Sequence, residues 1–396
     1  MKIWQQRLIW SSLWIWSIFL FNSLSVSAIP HFLLFLVIIS YYTKIKIKKV
    51  WNSCSNSTRY LFLLFCWGLI CTIVNYKNYP STSEFWKNLF KLKYFLVGSL
   101  LPYLLAHYLE ILGKEKSQLL LKKLGITLIV STTVATISGL IGYYSGFNPL
   151  RWRAACHPDR ACGMNGMYMT YGYGIGAYLV GVFPFTRFFP KANGLTFSFI
   201  LNFVGFMASK ARGAYVSFIL SIPLFFLKKN LKVFFQVLSL LLGVLALNIF
   251  FNPTVKEIFF HPQRLESISI RLSLFQTALI AGVQNPLFGL GYKNFEPQVI
   301  AIKKLHSIAY QDFQGHAHNN FLEHFASMGF IGLILLLLFF YHWMKELYKN
   351  KDSSPFFPFS VYVFLSGFFQ YTLGDASNMF LIMLVYSLSM VVKNEQ

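Results

Sequence analysis

The chain has 396 residues, 56% of them hydrophobic and 19% aromatic, with only 12% charged, against roughly 25% in soluble domains. That balance excludes a disordered chain and a disulfide-dense mini-protein, and it leaves too little polar surface to cover a soluble globular enzyme. The apolar runs recur from end to end and are continuous rather than alternating. They predict an all-α polytopic membrane protein and disfavour a transmembrane β-barrel.

At roughly 20 apolar residues per crossing, about twelve transmembrane helices are predicted, at 8–28, 29–43, 60–75, 89–109, 119–143, 167–186, 194–209, 213–227, 232–251, 325–344, 356–372 and 376–392. The first has Lys2 and Arg7 before it and Ser25-Val26-Ser27-Ala28 at its end, a pattern that also fits a cleavable signal peptide. The many later spans favour a retained helix. The stretch 252–324 contains Pro253, Pro262, Pro286 and Pro297, and loops of such length are usually functional or disordered. Residues 268–283 have helical apolar spacing, Asn285-Pro286 breaks it, and Gly289-Leu290-Gly291-Tyr292 reads as a tight turn. We therefore expect one large ordered periplasmic loop with one or two helices lying on the membrane face. It divides the chain into spans one to nine (1–251), the loop (252–324) and spans ten to twelve (325–396).

The formal net charge of +22 could suggest nucleic acid, but cytoplasmic loops of membrane proteins collect Lys and Arg. With the N-terminus inside, the segments 1–7, 44–59, 110–123, 187–193, 228–231, 345–355 and 393–396, together with Lys232, hold 20 of the 35 basic residues. Six of the others lie in the long loop, where the bias rule does not apply. The distribution predicts cytoplasmic N- and C-termini and no nucleic-acid partner. The five cysteines form no CxxC pair, so no structural zinc site is suggested. Cys156 and Cys162 share the outer turn 144–166, where an oxidising periplasm would permit a disulfide. Cys54 falls in an inner loop, and Cys66 and Cys71 read as packing residues.

Three basic clusters on the outer side are not explained by orientation: Lys210-Ala211-Arg212-Gly213, Arg271, and Arg151, Arg153 and Arg160. An Arg at the membrane is costly unless paired, and its planar fork suits phosphate. Snorkelling to lipid headgroups is the competing reading. The densest signal is Gly315-His316-Ala317-His318-Asn319-Asn320-Phe321-Leu322-Glu323-His324, which runs into the tenth span. His318 would sit at a helix start, where backbone N–H groups favour an anion and a neutral imidazole can act as base. Asn319 or Asn320 could orient a substrate, and His316 and Glu323 could orient His318. His316, His318, Glu323 and His324 could also ligate a metal, although the spacing is not HExxH. A plain N-cap beside solvated histidines is the remaining alternative.

His318-Asn319, nine residues and then Gly329-Phe330-Ile331-Gly332 resemble the signature of the O-antigen ligase family. Supporting pieces follow in the family's order: Arg160 to Gly163 with Met169 to Gly172, Arg212-Gly-Ala-Tyr-Val216 in an outer turn, Ser269-Ile-Arg271, Asn285-Pro286 and Gly289-Leu-Gly291. The resemblance covers roughly 160–344. It implies about twelve spans and transfer of a glycan from undecaprenyl pyrophosphate to the lipid A–core of lipopolysaccharide, at the periplasmic face of the inner membrane and without metal or nucleotide. By position, it makes His318 the essential histidine and Arg212 and Arg271 the arginines contacting pyrophosphate; His316, Asn319, Glu323, Lys210 and Arg160 are supporting candidates.

In-line attack on so activated a sugar would invert the anomeric carbon. A polymerase that extends the lipid-linked glycan shares the architecture and is the alternative within the same chemistry. A polytopic transporter or lipid flippase is the alternative of another class. Transporters place ionisable residues at mid-span, whereas here the candidate groups gather at the outer face.

Overall fold

The computed structural model describes residues 1–21, 24–42, 51–184, 193–228, 230–251, 262–350 and 354–391. The basic run at 44–49 and the first ten residues of the expected loop, 252–261, lie outside them. The described chain is almost wholly helical. In order it forms α1 (Ile3–Phe19), α2 (Leu24–Tyr42), α3 (Asn56–Val74), α4 (Thr82–Lys91), α5 (Lys93–Leu112), α6 (Lys114–Ser145), α7 (Tyr168–Val182), α8 (Asn193–Ala208), α9 (Arg212–Ser221) and α10 (Leu231–Phe251). There follow α11 (Pro262–Gln284), α12 (Phe295–Leu305), α13 (Asn320–Lys349), α14 (Phe357–Ser366) and α15 (Ala376–Val391). The short antiparallel pair Phe147–Asn148 and Arg153–Ala154 interrupts this pattern between α6 and α7.

Length and composition make Asn56–Val74, Thr82–Leu112, Lys114–Ser145 and Asn320–Lys349 capable of crossing a membrane, and several shorter apolar helices accompany them. The chain is an all-α polytopic membrane protein. Large apolar side chains point outward along these helices, among them Ile70 and Val74 on α3 and Val130, Ile137 and Ile141 on α6. Lipid supplies their solvent, since a bilayer leaves no need to hide them. At the centre α15 is buried from Ser377 to Val391, and α7 from Met169 to Val182. Interior polar groups are tied between helices: Thr136 donates to Asn202 at 2.6 Å, and Ser57 and Thr58 meet the Tyr386 hydroxyl at 3.1 and 2.9 Å. Such ties matter where no water competes.

Most predicted spans find a helix, with two corrections. The break between the first two helices lies near residue 20, not at 28–29, and α2 carries Pro30 inside it. The expected span 356–372 is helical only to Ser366. Gly367, Gln370, Thr372, Gly374 and Asp375 instead shape an irregular turn, because these polar and flexible residues interrupt the apolar run. Within the long loop, the helix read at 268–283 is the greater part of α11. Its Leu274, Ala278 and Ala281 are buried in a small core shared with α12 and α13, while Leu272, Leu279 and Val283 face outward.

The turn after α11 explains Gly329. Gly329 interrupts α13 with φ +66° and ψ −168°, a conformation that non-glycine residues rarely adopt. A Cβ there would lie 2.2 Å from the carbonyl oxygen of Leu287 and 2.4 Å from that of Pro286. The break frees helix groups, and the turn satisfies them. Phe330 N donates to Pro286 O (2.8 Å), Leu290 N to Ala326 O (2.9 Å) and Gly291 N to Ser327 O (3.0 Å). Trp67 of α3 donates its indole N–H to Met328 O at 2.9 Å. The kink thus locks α11, α3 and the start of α13 together, and the start of α13 carries the histidines.

Candidate active site

The segment 315–319 reaches α13 through a sharp bend. His318 has φ +48°, in the left-handed region where His is among the more tolerated side chains. Asn319 is the N-cap: its Oδ1 accepts from Phe321 N (2.8 Å) and Leu322 N (3.0 Å). Glu323, one turn in, is 1% exposed and accepts from Ala317 N at 2.8 Å. The backbone on both sides of His318 is therefore fixed.

The opposing wall is the turn 367–375. Asn320 N donates to Gly367 O (2.7 Å), Asn319 Nδ2 to Phe368 O (3.2 Å), Asn320 Nδ2 to Thr372 Oγ1 (2.9 Å) and Leu373 N to Asn320 Oδ1 (3.1 Å). Both asparagine side chains are thus committed to structure. Between these ties, His318 Nδ1 lies 2.7 Å from Gln370 Oε1, and Gln370 Nε2 lies 3.4 Å from His316 Nε2. The two imidazoles are 4.2 Å apart, centroid to centroid.

Burial pushes the His318 imidazole down to about 4; the nearby Arg271 charge adds to this and the Gln370 contact opposes it. His316 is pushed down to about 3, by burial first and then by His318, Lys293 and Arg271. Both rings are neutral near pH 7, so each has one N–H and one free lone pair.

The cations sit on the other side of the same turn. Arg271 projects from α11 and donates Nη1 to Phe369 O at 3.4 Å. Its Nη2 lies 3.3 Å from the Met169 sulfur. The α8–α9 connection is tight, with Lys210 at φ +52°. Gly213 is so close to Phe369 that an added Cβ would lie 2.5 Å from the Phe369 Cβ. Arg160, 5% exposed, lies over the Tyr168 ring at 4.0 Å, and its Nε has no protein partner. Together Arg160, Lys210, Arg212 and Arg271 border one recess with Tyr168, Tyr173 and Ser267. Four cations around one small hollow, with a buried unpartnered Nε among them, fit an anion carrying more than one charge.

The sequence-predicted residues thus divide. His316, His318 and Arg271 meet at the Phe369–Gln370 pair, and Arg160, Lys210 and Arg212 adjoin them through the recess. Asn319 and Glu323 hold the backbone instead. Arg151 donates to Asn165 O at 2.6 Å and belongs to the 144–166 turn, and Arg153 is exposed on its short hairpin. Cys156 and Cys162 are paired in a disulfide across that turn, with Cα atoms 6.2 Å apart. Cys54 and Cys66 are half-buried free thiols and Cys71 a buried one. Among the described residues, no three His, Cys, Asp or Glu side chains gather as a metal site.

Sequence reasoning missed Gln370 and Lys293. Lys293 donates to Gly374 O at 2.5 Å, and its charge faces the His316 side of the site. The hydropathy of the flanking runs carries a span through Gln370, so its one visible cue is that it is a polar residue between Gly367 and Gly374.

Residues 197–337 match the family model described as O-antigen ligase. The matched stretch contains Lys210, Arg212, Arg271, His316, His318 and the Gly329 kink, whereas Arg160 and Gln370 lie outside it. No curated protein matches the chain.

Proposed function

We propose that this chain, whose residues 197–337 carry the O-antigen ligase family domain, moves a glycan from undecaprenyl pyrophosphate to the lipid A–core of lipopolysaccharide at the outer face of the bacterial inner membrane. The observation that carries this reading is the convergence at one turn: Arg271 contacts Phe369 and His318 contacts Gln370, with the other cations alongside. Glycosyl transfer from a pyrophosphate carrier needs just two things from a protein. One is a base for the incoming hydroxyl, and the other is positive charge for the departing diphosphate.

In the reaction, the acceptor oxygen forms a bond to the anomeric carbon from the face opposite the leaving group. The carbon–oxygen bond to the pyrophosphate breaks, and its electron pair stays on the phosphate oxygen. The acceptor proton passes to the free nitrogen of His318. Arg271, Arg212, Arg160 and Lys210 stabilise the negative charge where it develops. Inversion of the anomeric configuration follows from the single displacement. The outward apolar face of α11 gives the polyprenyl chain and the bilayer a neighbouring surface.

The test is reconstitution in liposomes with purified lipid-linked glycan and rough lipopolysaccharide. His318→Ala and Arg271→Ala should abolish transfer with membrane abundance unchanged. Arg271→Lys should recover little, because an ammonium cannot offer the paired donors of a guanidinium. Full activity in His318→Ala would refute the reading. The choice of acceptor separates the alternative: if glycan is added only to a second lipid-linked glycan, the enzyme is a polymerase.

A further inference from the structure

The contact between Gln370 and the two histidines does more than hold a loop. We propose that Gln370 is a positioning residue that sets the tautomer of His318: its Oε1 accepts the Nδ1–H of that ring, leaving Nε2 as the nitrogen that takes the acceptor's proton. The inference rests on the glycosyl-transfer reading above and deepens it.

Three observations support it. First, Gln370 is 3% exposed, and its side chain lies against a ring nitrogen of each imidazole rather than facing solvent. Second, its backbone is held at both ends, Gln370 N donating to Ser366 O and Thr372 N donating to Gln370 O, each at 3.0 Å. Third, the amide is used at both of its ends. With Oε1 on His318 Nδ1 at 2.7 Å, Nε2 faces His316 Nε2 at 3.4 Å, where it donates when that nitrogen carries no hydrogen. In this arrangement the carboxamide oxygen fixes which nitrogen of His318 carries hydrogen.

The choice of an amide over a carboxylate has a chemical reason. A carboxylate at this position would hold the same proton but would also stabilise the imidazolium. The charges that act on the histidine rings are Arg271 from α11 and Lys293 from the segment before α12, with neutral His316 on the same segment as His318. The carboxyls nearby, Glu323 bonded to Ala317 N and Asp375 on the facing turn, act on Lys293, so the charge the rings themselves meet is positive and favours the neutral form. A neutral amide selects the tautomer without opposing that field.

The experiment compares Gln370→Leu and Gln370→Glu in reconstituted liposomes, reading kcat, KM for the lipid-linked donor and the pH profile. General-base catalysis contributes about 10²–10⁴-fold, and a ring free to choose its tautomer keeps part of it. Gln370→Leu should therefore lower kcat about 10- to 100-fold with donor KM unchanged. Gln370→Glu should retain much of kcat and move the acid limb of the profile upward by about one pH unit or more. Wild-type kcat in Gln370→Leu would overturn the proposal. So would equal losses in both variants with the acid limb unmoved. If Gln370→Leu does not accumulate in the membrane, Gln370→Asn replaces it, since its carboxamide falls short of the ring. His318→Ala separates the two levels. An inactive His318→Ala beside unaffected Gln370 variants overturns only this proposal, whereas an active His318→Ala overturns the reaction itself.

Discussion

Replacing Gly329 with Ala should unfasten the junction that holds the histidine segment. The backbone at φ +66° and ψ −168° is essentially reserved for glycine and costs a residue with a Cβ about 1–3 kcal/mol. The added carbon would sit 2.2 and 2.4 Å from two carbonyl oxygens, and backbone cannot swing aside as a long side chain can. Relief requires separating the 286–291 turn from α13, which gives up the bonds from Phe330 N, Leu290 N and Gly291 N. At about 1 kcal/mol each, partial loss brings the total to about 3–5 kcal/mol, or at least about 100-fold in the closed-to-open ratio. Denaturant unfolding in micelles measures this, with transfer activity read in parallel. Gly243→Ala on α10 is the control, because a Cβ there meets nothing within 4 Å and Ala is the better helix former. Gly243→Ala should match or exceed the parent's stability. If Gly329→Ala unfolds at the parent's midpoint with full activity, the account of the kink is wrong.

Two further outcomes follow from the site and its neighbourhood. Because burial lowers His318 to about 4, the basic ring persists well below the usual imidazole value. The rate should hold from pH 8 to below pH 6 and fall only as pH approaches about 4; an acid limb near 6.5 would contradict this. The linked stability has the same sign: the unfolded chain binds this proton more tightly, so the folded state loses stability as pH falls from about 6.5 towards about 4. For the disulfide, thiol labelling of denatured protein should find three reactive cysteines without reductant and all five with it. Five without reductant would remove the bridge. Closing so short a loop contributes about 2 kcal/mol in the chain-entropy treatment, so Cys156→Ser should lower the unfolding midpoint modestly.

Much of this architecture was legible in the chain because the bilayer enforces one rule: apolar runs become helices. Runs such as those forming α3, α6 and α13 could be read directly. The helix in the long loop was legible for a related reason, since Asn285-Pro286 marks where it must stop. The two histidines and the four cations of the recess stood out because they are expensive residues in an apolar context. What the pattern hid was the turn at 367–375. Its flanks are so rich in Phe, Tyr and Leu that hydropathy extends a span through it, and only tertiary bonds to Asn319 and Asn320 show that it is not helical. Gln370 was hidden with it. A single uncharged amide gives no electrostatic signal in sequence, and its meaning comes entirely from two rings more than 50 positions away. Asn319 could be read both as a substrate ligand and as an N-cap, and the sequence does not choose between them. Its amide is a fair substrate ligand by chemistry, but the start of a helix claims it first.

Phe369 and Gln370 are adjacent residues, and one grips the guanidinium while the other grips the imidazole. The interval between the imidazole and the guanidinium is therefore gauged by a single peptide unit, as if by a ruler with two marks. Under the proposed reaction, a saccharide of any length would present the same first linkage to the same spacing.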